Sequence, residues 1–294
     1  MPDNDPRGPR PPGELVLVAT PLGNLGDITR RALEVLGTAD AVYCEDTRRT
    51  RTLFSAFGVR PRHPLRALHE HNEAGLCDEI VGRVRSGEQV ALVSDAGTPT
   101  ISDPGSRVAS AVAAAGLRVT TTPGPSAVVA ALSVSGLAQE RFVMEGFVPR
   151  RAGERAAAFA QWAREPRTIV AFESPQRVAA TLAELAGRFP DRRVAVVREL
   201  TKVHEEVIRG PLAEVAAEVA RRDVLGEVVV VLAGAAEEAA DEATVRAALA
   251  DHLRRGTSVR DAAAAVADDL GVAHRSAYET ALAMREEGLA PPGQ

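Results

Sequence analysis

Cysteine and aromatic residues are scarce in this chain of 294 residues. Its two cysteines cannot build a disulfide scaffold, and no Cys-x-x-Cys pair is present to indicate structural zinc. With 3% aromatic residues, we do not expect rings that stack single-stranded bases. No run of about 18 apolar residues occurs, so no membrane partner is expected. The few cysteines and the lack of a signal-peptide pattern predict a cytoplasmic protein.

The chain also lacks an excess of positive charge. Its net charge of −5 argues against a generally basic nucleic-acid-binding protein, although a local basic patch is compatible with it. Among 35 lysine and arginine residues, lysine occurs once, at Lys202. A desolvated lysine can give up its proton and arginine cannot. Lys202 therefore marks either a site where arginine would fail or the chance survival of one codon.

The pattern of apolar segments divides the chain into four parts. Residues 1–13 hold five prolines without apolar periodicity, which predicts a disordered lead. Residues 14–135 alternate apolar runs with helical patterns and predict an α/β domain with a mostly parallel sheet. Residues 136–235 predict a second α/β domain in which some strands form hairpins. Residues 241–290 predict three helices, either a helix-turn-helix-like unit or an ordinary helical tail.

Three loops rich in glycine and proline each follow a predicted strand of the first domain. They cover residues 19–27, 94–105 and 122–127. Ligands of open parallel sheets bind at the carboxyl ends of the strands, where glycine lets the backbone approach them. The first loop is neither a dinucleotide fingerprint nor a phosphate loop. We expect Asp27 to cap a helix after the first loop, and Ser102 or Asp103 is a possible cap in the second.

Arginine residues cluster after the second predicted strand. Six arginines and three acids between residues 45 and 71 make this segment locally +3. Because arginine binds phosphate through two donors, we predict that Arg48, Arg49 and Arg51 hold RNA phosphates, with a solvated helix face as the alternative. His69 and His71 lack an evident third ligand, so no metal site is expected.

Taken together, the motifs resemble the tetrapyrrole methylase superfamily, and within it the methyltransferases that act on small-subunit ribosomal RNA. The resemblance is carried by ATPLGNLGDIT (19–29), EDTRRT (45–50), SDAGTPTISDPG (94–105), PGPSA (123–127), FESPQR (172–177) and RELTKVHEE (198–206). One loop departs from the superfamily pattern. It reads Gly97-Thr98-Pro99 where Gly-Asp-Pro is usual, so a donor contact of that aspartate would have to be made by Thr98 or the backbone.

The resemblance implies a two-domain tetrapyrrole methylase-like α/β fold with a donor cleft between the domains, a C-terminal helix-turn-helix-like appendage and a homodimer. It implies S-adenosylmethionine as the donor and 2′-O-methylation of a cytidine ribose in 16S ribosomal RNA within the small ribosomal subunit. The implied donor contacts are Leu22, Ala96, Gly97, Thr98, Ile101, Ser126, Ala127, Glu173 and Leu200. The alternatives are a corrin or porphyrin precursor methylase on the same fold and a helix-turn-helix regulator with a ligand-sensing body.

A base that accepts the proton of the ribose hydroxyl would assist this reaction. Lys202 is the first candidate, because on a strand it would share a face with Leu200. Burial would lower its pKa, whereas the nearby acids Glu199, Glu205 and Glu206 would oppose that shift, so the sequence leaves the direction open. Glu173, Asp103 and His204 are the other candidate catalytic residues.

Overall fold

A computed structural model of the chain describes residues 13–235 and 241–287. The chain divides into two compact units, Met1–Gly234 and Ala235–Gln294. Of the predicted disordered lead, residues 1–12 lie outside the described part, as do residues 288–290 of the predicted tail. No helix among the described residues is both long enough and apolar enough to cross a membrane.

The first sheet consists of five parallel strands with helices on both faces. The strands are β1 (Glu14–Val18), β2 (Ala41–Cys44), β3 (Arg66–Ala67), β4 (Gln89–Val93) and β5 (Arg118–Thr122), in the spatial order β3-β2-β4-β1-β5. Successive side chains point to opposite faces, so Leu15 and Tyr43 enter one apolar layer while Val16 and Val42 enter the other. All five carboxyl ends therefore lie along one edge, and the predicted parallel α/β arrangement is confirmed.

Five helices and one short 3-10 helix, Leu25–Asp27, belong to this half. The helices are α1 (Arg30–Thr38), α2 (Thr47–Ala56), α3 (Glu73–Arg85), α4 (Ser106–Ala114) and α5 (Ala127–Ser135). The prediction that Asp27 caps the first helix is wrong. Asp27 is used in the 3-10 turn, and the Thr29 side chain accepts a hydrogen bond from the Ala32 amide at 3.1 Å instead.

The second sheet is mixed. Its strands are β6 (Phe142–Phe147), β7 (Thr168–Glu173), β8 (Arg193–Arg198), β9 (Glu206–Pro211) and β10 (Val228–Leu232), in the order β6-β7-β10-β8-β9. Only β6 and β7 pair in parallel, and β8 and β9 form the kind of hairpin that the sequence predicts. One face packs against α6 (Ala152–Trp162), α7 (Pro175–Ala186) and α8 (Leu212–Val219).

The other face of the second sheet packs against residues of the first half. Val128 and Leu132 of α5 share an apolar cluster with Val229 of β10, and Leu22 of the first strand-end loop and Leu200 belong to the same cluster. The side chain of Arg209 on β9 also donates to the carbonyl of Ser135, the last residue of α5, at 3.0 Å. The two halves are therefore joined by a continuous core that holds one strand-end loop directly against the second sheet.

The C-terminal unit contains the three predicted helices, α9 (Glu242–Arg254), α10 (Val259–Leu270) and α11 (His274–Glu286). Ser258 caps α10 by accepting from the Asp261 amide at 3.1 Å, as the sequence predicts. Leu249, Val266 and Met284 lie in the apolar core that the three helices share. The predicted helical C-terminal part is confirmed.

The corrected cap yields a stability prediction. Thr29→Ala should lower the free energy of unfolding by about 1 kcal/mol, because an amide of α1 loses its acceptor. Asp27→Ala, two residues away, should change it by less than about 0.5 kcal/mol. Urea unfolding of both variants measures the difference. An equal loss, or a larger loss for Asp27→Ala, would contradict the assignment.

Candidate functional site

Hydrogen bonds tie the three strand-end loops of the first sheet into one surface. Thr20 and Gly97 exchange backbone hydrogen bonds of 2.9 and 3.0 Å, and the Thr20 hydroxyl donates to the carbonyl of Ser94 at 3.2 Å. The Thr98 hydroxyl donates to the carbonyl of Pro125 at 2.9 Å. Thr98 thus joins the second loop to the third at the position where the superfamily usually carries aspartate.

The second of these loops is locally strained. Gly97 has φ +80°, and a Cβ built there would lie 3.2 Å from Cδ2 of Leu22. Thr100 and Ser102 also adopt the left-handed region, at φ 73° and 60°, although each carries a side chain. Such conformations persist only where surrounding contacts enforce them, and they concentrate at functional sites.

A small cavity of about 90 Å³ lies where the three loops meet. Seven of the nine predicted donor contacts line it, namely Leu22, Ala96, Gly97, Thr98, Ile101, Ser126 and Ala127. Phe147 and Phe172 of the second half face them across the cavity, with ring centroids 5.4 Å apart. The structure therefore brings together the loop residues that the sequence singled out, and it adds two aromatic side chains.

Glu173 and Leu200, the other two predicted donor contacts, do not line this cavity. The side chain of Glu173 is 1% exposed and accepts from the Thr181 hydroxyl at 2.6 Å and the Ser174 amide at 2.7 Å. Arg177 pairs with the same carboxylate at 3.2 Å. Glu173 thus has its oxygens occupied inside the second half, which leaves it poorly placed to act as a base. Leu200 is buried in the core between the halves.

An acidic cavity of about 570 Å³ continues from the small one and shares Leu22, Ala96, Asp103, Ala127, Phe147 and Phe172 with it. We call the two together the donor cleft, after the donor contacts that the motifs predict there. The acidic side chains that line the larger part are Glu45, Asp46, Asp95, Asp103, Glu173 and Glu227, against one cation, Arg49. Glu45 and Asp95 were not among the predicted site residues. Glu45 directly follows one predicted strand, and Asp95 lies one residue beyond the end of another.

Asp103 lies in both parts of the donor cleft. Burial and the neighbouring carboxylates of Glu45 and Asp95 raise its pKa to about 7. Asp103 does not cap α4, which was one of its two predicted roles. Glu73 of α3 does so instead, accepting from the amides of Arg107 and Val108 at 2.7 and 3.2 Å. The Asp103 carboxylate therefore remains available to the cleft.

The structure contradicts the expectation that Lys202 lies on a strand. Lys202 lies in the turn between β8 and β9 and not on a strand, and Glu199 and Thr201 of this turn have φ 51° and 65°. Its Nζ lies 2.8 Å from Glu199 and 3.3 Å from Glu227. Burial lowers the pKa of Lys202, but the two carboxylates outweigh burial and raise it above its usual value. A lysine held in its charged form is a poor proton acceptor. His204 is exposed in the same turn.

The three predicted RNA-binding arginines lie on the first two turns of α2 and are exposed. Asp46 pairs with Arg48 at 3.1 Å, and Asp95 pairs with Arg49 at 3.5 Å. Arg51 has no ion pair within the described part of the chain. Residues 13–235 and 241–287 contain no group of three or more histidine, cysteine or acidic side chains placed to hold a metal ion.

Residues 14–216 match the family model of Tetrapyrrole (Corrin/Porphyrin) Methylases. The chain belongs to this family. Methyltransferases of the family use S-adenosylmethionine as the methyl donor. The matched residues include every loop that lines the donor cleft apart from the segment at residues 226–229.

Two curated relatives cover most of the chain. Ribosomal RNA small subunit methyltransferase I of Xylella fastidiosa (strain Temecula1 / ATCC 700964) is 47% identical over 259 residues, or 86% of this chain and 94% of that protein. The protein of the same name from Mycobacterium tuberculosis (strain CDC 1551 / Oshkosh) is 44% identical over 281 residues, or 95% and 98%. A solved structure, uroporphyrin-III-C-methyltransferase from Thermus thermophilus, matches with a TM-score of 0.52 and 21% identity, covering 74% of this chain and 94% of that one. This last likeness confirms the predicted fold.

The position of Gly97 yields a prediction about donor binding. Gly97→Ala forces Leu22 to move and places an L-residue in the left-handed region, so it should weaken S-adenosylmethionine binding and cost about 1–2 kcal/mol of stability. Gly116→Ala is a matched control, because φ there is +71° and no atom lies within 4 Å of the added carbon. Calorimetry should show weakened donor binding for Gly97→Ala alone. Equal affinities in the two variants would place the donor elsewhere.

Proposed function

We propose that this chain transfers a methyl group from S-adenosylmethionine to the ribose 2′-hydroxyl of a cytidine in 16S ribosomal RNA. The observation that carries the proposal is the 44–47% identity to proteins named ribosomal RNA small subunit methyltransferase I over 86–95% of the chain. The strand-end loops that converge on the donor cleft supply the matching geometry.

The donor cleft suits S-adenosylmethionine chemically. The donor carries a sulfonium cation, and the carboxylates of Glu45, Asp95 and Asp103 give the cleft an excess of negative charge. The smaller part of the cleft adds apolar side chains, Leu22 and Phe172 among them, which suit the adenine ring. Glu173 and Leu200 of the second half have buried side chains, through which they support the cleft.

S-adenosylmethionine supplies an electrophilic methyl group. The ribose oxygen attacks the methyl carbon, the carbon–sulfur bond breaks with its electron pair on sulfur, and the hydroxyl proton passes to a base. Asp103 is the base that we favour over Lys202, because it lines the cleft and its pKa is raised to about 7, near neutral pH. Alignment of the two substrates supplies further acceleration.

The rival functions receive less support. A corrin or porphyrin precursor methylase has the same fold, but the solved structure of this class is only 21% identical to the chain. A helix-turn-helix regulator would not need a cleft built from strand-end loops of a methylase family. An assay with labelled S-adenosylmethionine and three acceptors separates these functions. We expect methyl transfer to small ribosomal subunits, and transfer to a tetrapyrrole alone would contradict the proposal.

The proposal extends to the assembly and place of action. We propose that the chain acts as a homodimer on the assembled small ribosomal subunit in the cytoplasm. The resemblance of the motifs supports this part of the proposal. Sedimentation equilibrium tests the dimer, and a monomer at the concentrations used for the assay would contradict it.

The proposed base gives a prediction for pH dependence. Below a pH of about 7 the Asp103 carboxyl is protonated and cannot accept a proton, so the single-turnover rate should rise with pH and level off above this value. Asp103→Asn should lower that rate by about 10²–10⁴-fold and abolish the dependence, while S-adenosylmethionine still binds. Rapid-quench measurements from pH 5.5 to about 8.5 test this.

Lys202→Arg is the comparison variant. Arginine keeps the positive charge and cannot accept a proton, so this variant should retain the wild-type pH profile. If Lys202→Arg loses the profile and Asp103→Asn keeps it, the base is Lys202.

The exposed arginines of α2 give a prediction for RNA binding. Replacing Arg48, Arg49 and Arg51 with alanine should reduce the slope of log affinity against log salt concentration by about one unit for each phosphate that these side chains neutralise. Arg164→Ala is the control, since Arg164 is exposed in the second half. Salt titrations with the RNA substrate measure both slopes. Equal slopes in the triple variant and the control would exclude these arginines from the RNA-binding surface.

A further inference from the structure

A third cavity of about 390 Å³ adjoins the donor cleft, and neither the proposed base nor seven of the nine predicted donor contacts line it. Leu22 and Ala96 line both this cavity and the donor cleft, so a ligand here would lie next to a bound donor. Its volume falls within the range of about 300–1,000 Å³ that small-molecule sites occupy. The first strand-end loop, α2 and Lys202 form its walls.

One wall of this cavity is apolar and accessible. Leu25, held on the short 3-10 helix, is 49% exposed, although large apolar side chains of this fold are mostly buried. Leu53 and Ala56 of α2 line the same cavity. Exposed apolar side chains beside a cavity provide a surface for the face of a planar ring.

Two cationic side chains, Arg49 and Lys202, line this cavity. Arg49 is held by Asp95 over a long 3.5 Å separation, and its side chain is 66% exposed, so it can turn to another anion. The stem of Lys202 lies against Gly23, where an added Cβ would come within 2.3 Å of the lysine Cγ. This contact places the lysine head at the cavity, and its raised pKa keeps it charged. The carboxylates of Asp95 and Glu227 also line the cavity.

The charge of this cavity contrasts with that of the donor cleft. Arg49, Asp95 and Glu227 line both spaces, but this cavity adds the cation Lys202, whereas the larger part of the donor cleft adds Glu45, Asp46, Asp103 and Glu173. A group that carries phosphates therefore meets less negative charge in this cavity than in the donor cleft. This difference suits the two substrates of the proposed methyl transfer, with the cationic donor in the donor cleft and the anionic RNA in this cavity.

We propose that this cavity holds the unpaired target nucleotide, with its base against Leu25, Leu53 and Ala56 and its phosphates toward Arg49 and Lys202. The inference rests on the proposed function and names the acceptor subsite of that reaction. Sequence-specific RNA recognition usually takes unstacked nucleotides, and enzymes that act on single nucleotides enclose them in a pocket. Lys202 is then a phosphate-binding residue that orients the ribose toward the donor.

Filling the cavity tests the proposal. Ala56→Trp places a bulky ring in the cavity from an exposed position at the end of α2. Ser55→Trp is the matched control, because Ser55 is the exposed neighbour on the same helix and does not line the cavity. We expect Ala56→Trp to lower kcat/KM for the RNA substrate by about 10–100-fold while its S-adenosylmethionine affinity and thermal unfolding match those of Ser55→Trp.

A second measurement uses small probes. Cytidine monophosphate should bind the wild-type chain more tightly than cytidine does, and Lys202→Met should remove most of that difference. Equal kcat/KM in the two tryptophan variants, or no loss of phosphate preference in Lys202→Met, would overturn the proposal. If either result is found while the wild type still methylates ribosomal RNA, the proposed acceptor subsite is wrong and the proposed function is unaffected. If the wild type fails to methylate RNA, the function itself fails.

Discussion

The packing of Leu22 and helix α5 against the second sheet is the contact on which the rest of this site depends. Leu22 belongs to a core cluster that contains Val170, Val229 and Leu200 of the second half, and it also lines all three cavities described above. Burying a leucine of this kind contributes about 1.5–3 kcal/mol. The same side chain thus holds the halves together and separates the donor cleft from the adjoining cavity.

Charge then distinguishes the spaces that this packing creates. The carboxyl ends of β2 and β4 place Glu45 and Asp95 next to Asp103, so three carboxylates crowd into a partly buried volume. Crowding of this kind raises a carboxyl pKa, and the pKa of Glu45 is raised as well, through burial first and then Asp95. At the other end, Lys202 is kept charged by Glu199 and Glu227. The proposed acid–base site and the proposed anion site therefore lie in neighbouring spaces that share one wall.

Much of the fold could be predicted from the sequence, because the local signals agree with the long-range structure. The buried run in β4 and the cap at Ser258 both depend on residues close in the chain. Asp27 was misassigned because Thr29, two residues later, is an equally good cap, and only the 3-10 turn decides between them. The parallel first sheet fixes which loops meet, whereas Gly97, Thr98 and Ser126 were named as donor contacts from the family resemblance.

Side-chain environments set by distant residues could not be predicted. The cap of α4 comes from Glu73, more than 30 residues away, and this frees Asp103. The pKa of Lys202 is raised by Glu199, three residues away, and also by Glu227, which is brought beside the β8–β9 turn by the pairing of β10 with β8. Phe147 lies at the end of β6, and nothing in its local sequence indicates that it faces the loops of the first half.

The central claim is that the donor cleft and the cavity beside it direct a methyl group to a ribose oxygen of RNA. The most direct measurement is mass spectrometry of nucleosides released from small-subunit RNA after incubation with the protein and methyl-labelled S-adenosylmethionine. The account predicts label in 2′-O-methylcytidine and its loss with Asp103→Asn. Label on a base, or label that persists undiminished in Asp103→Asn, would contradict it.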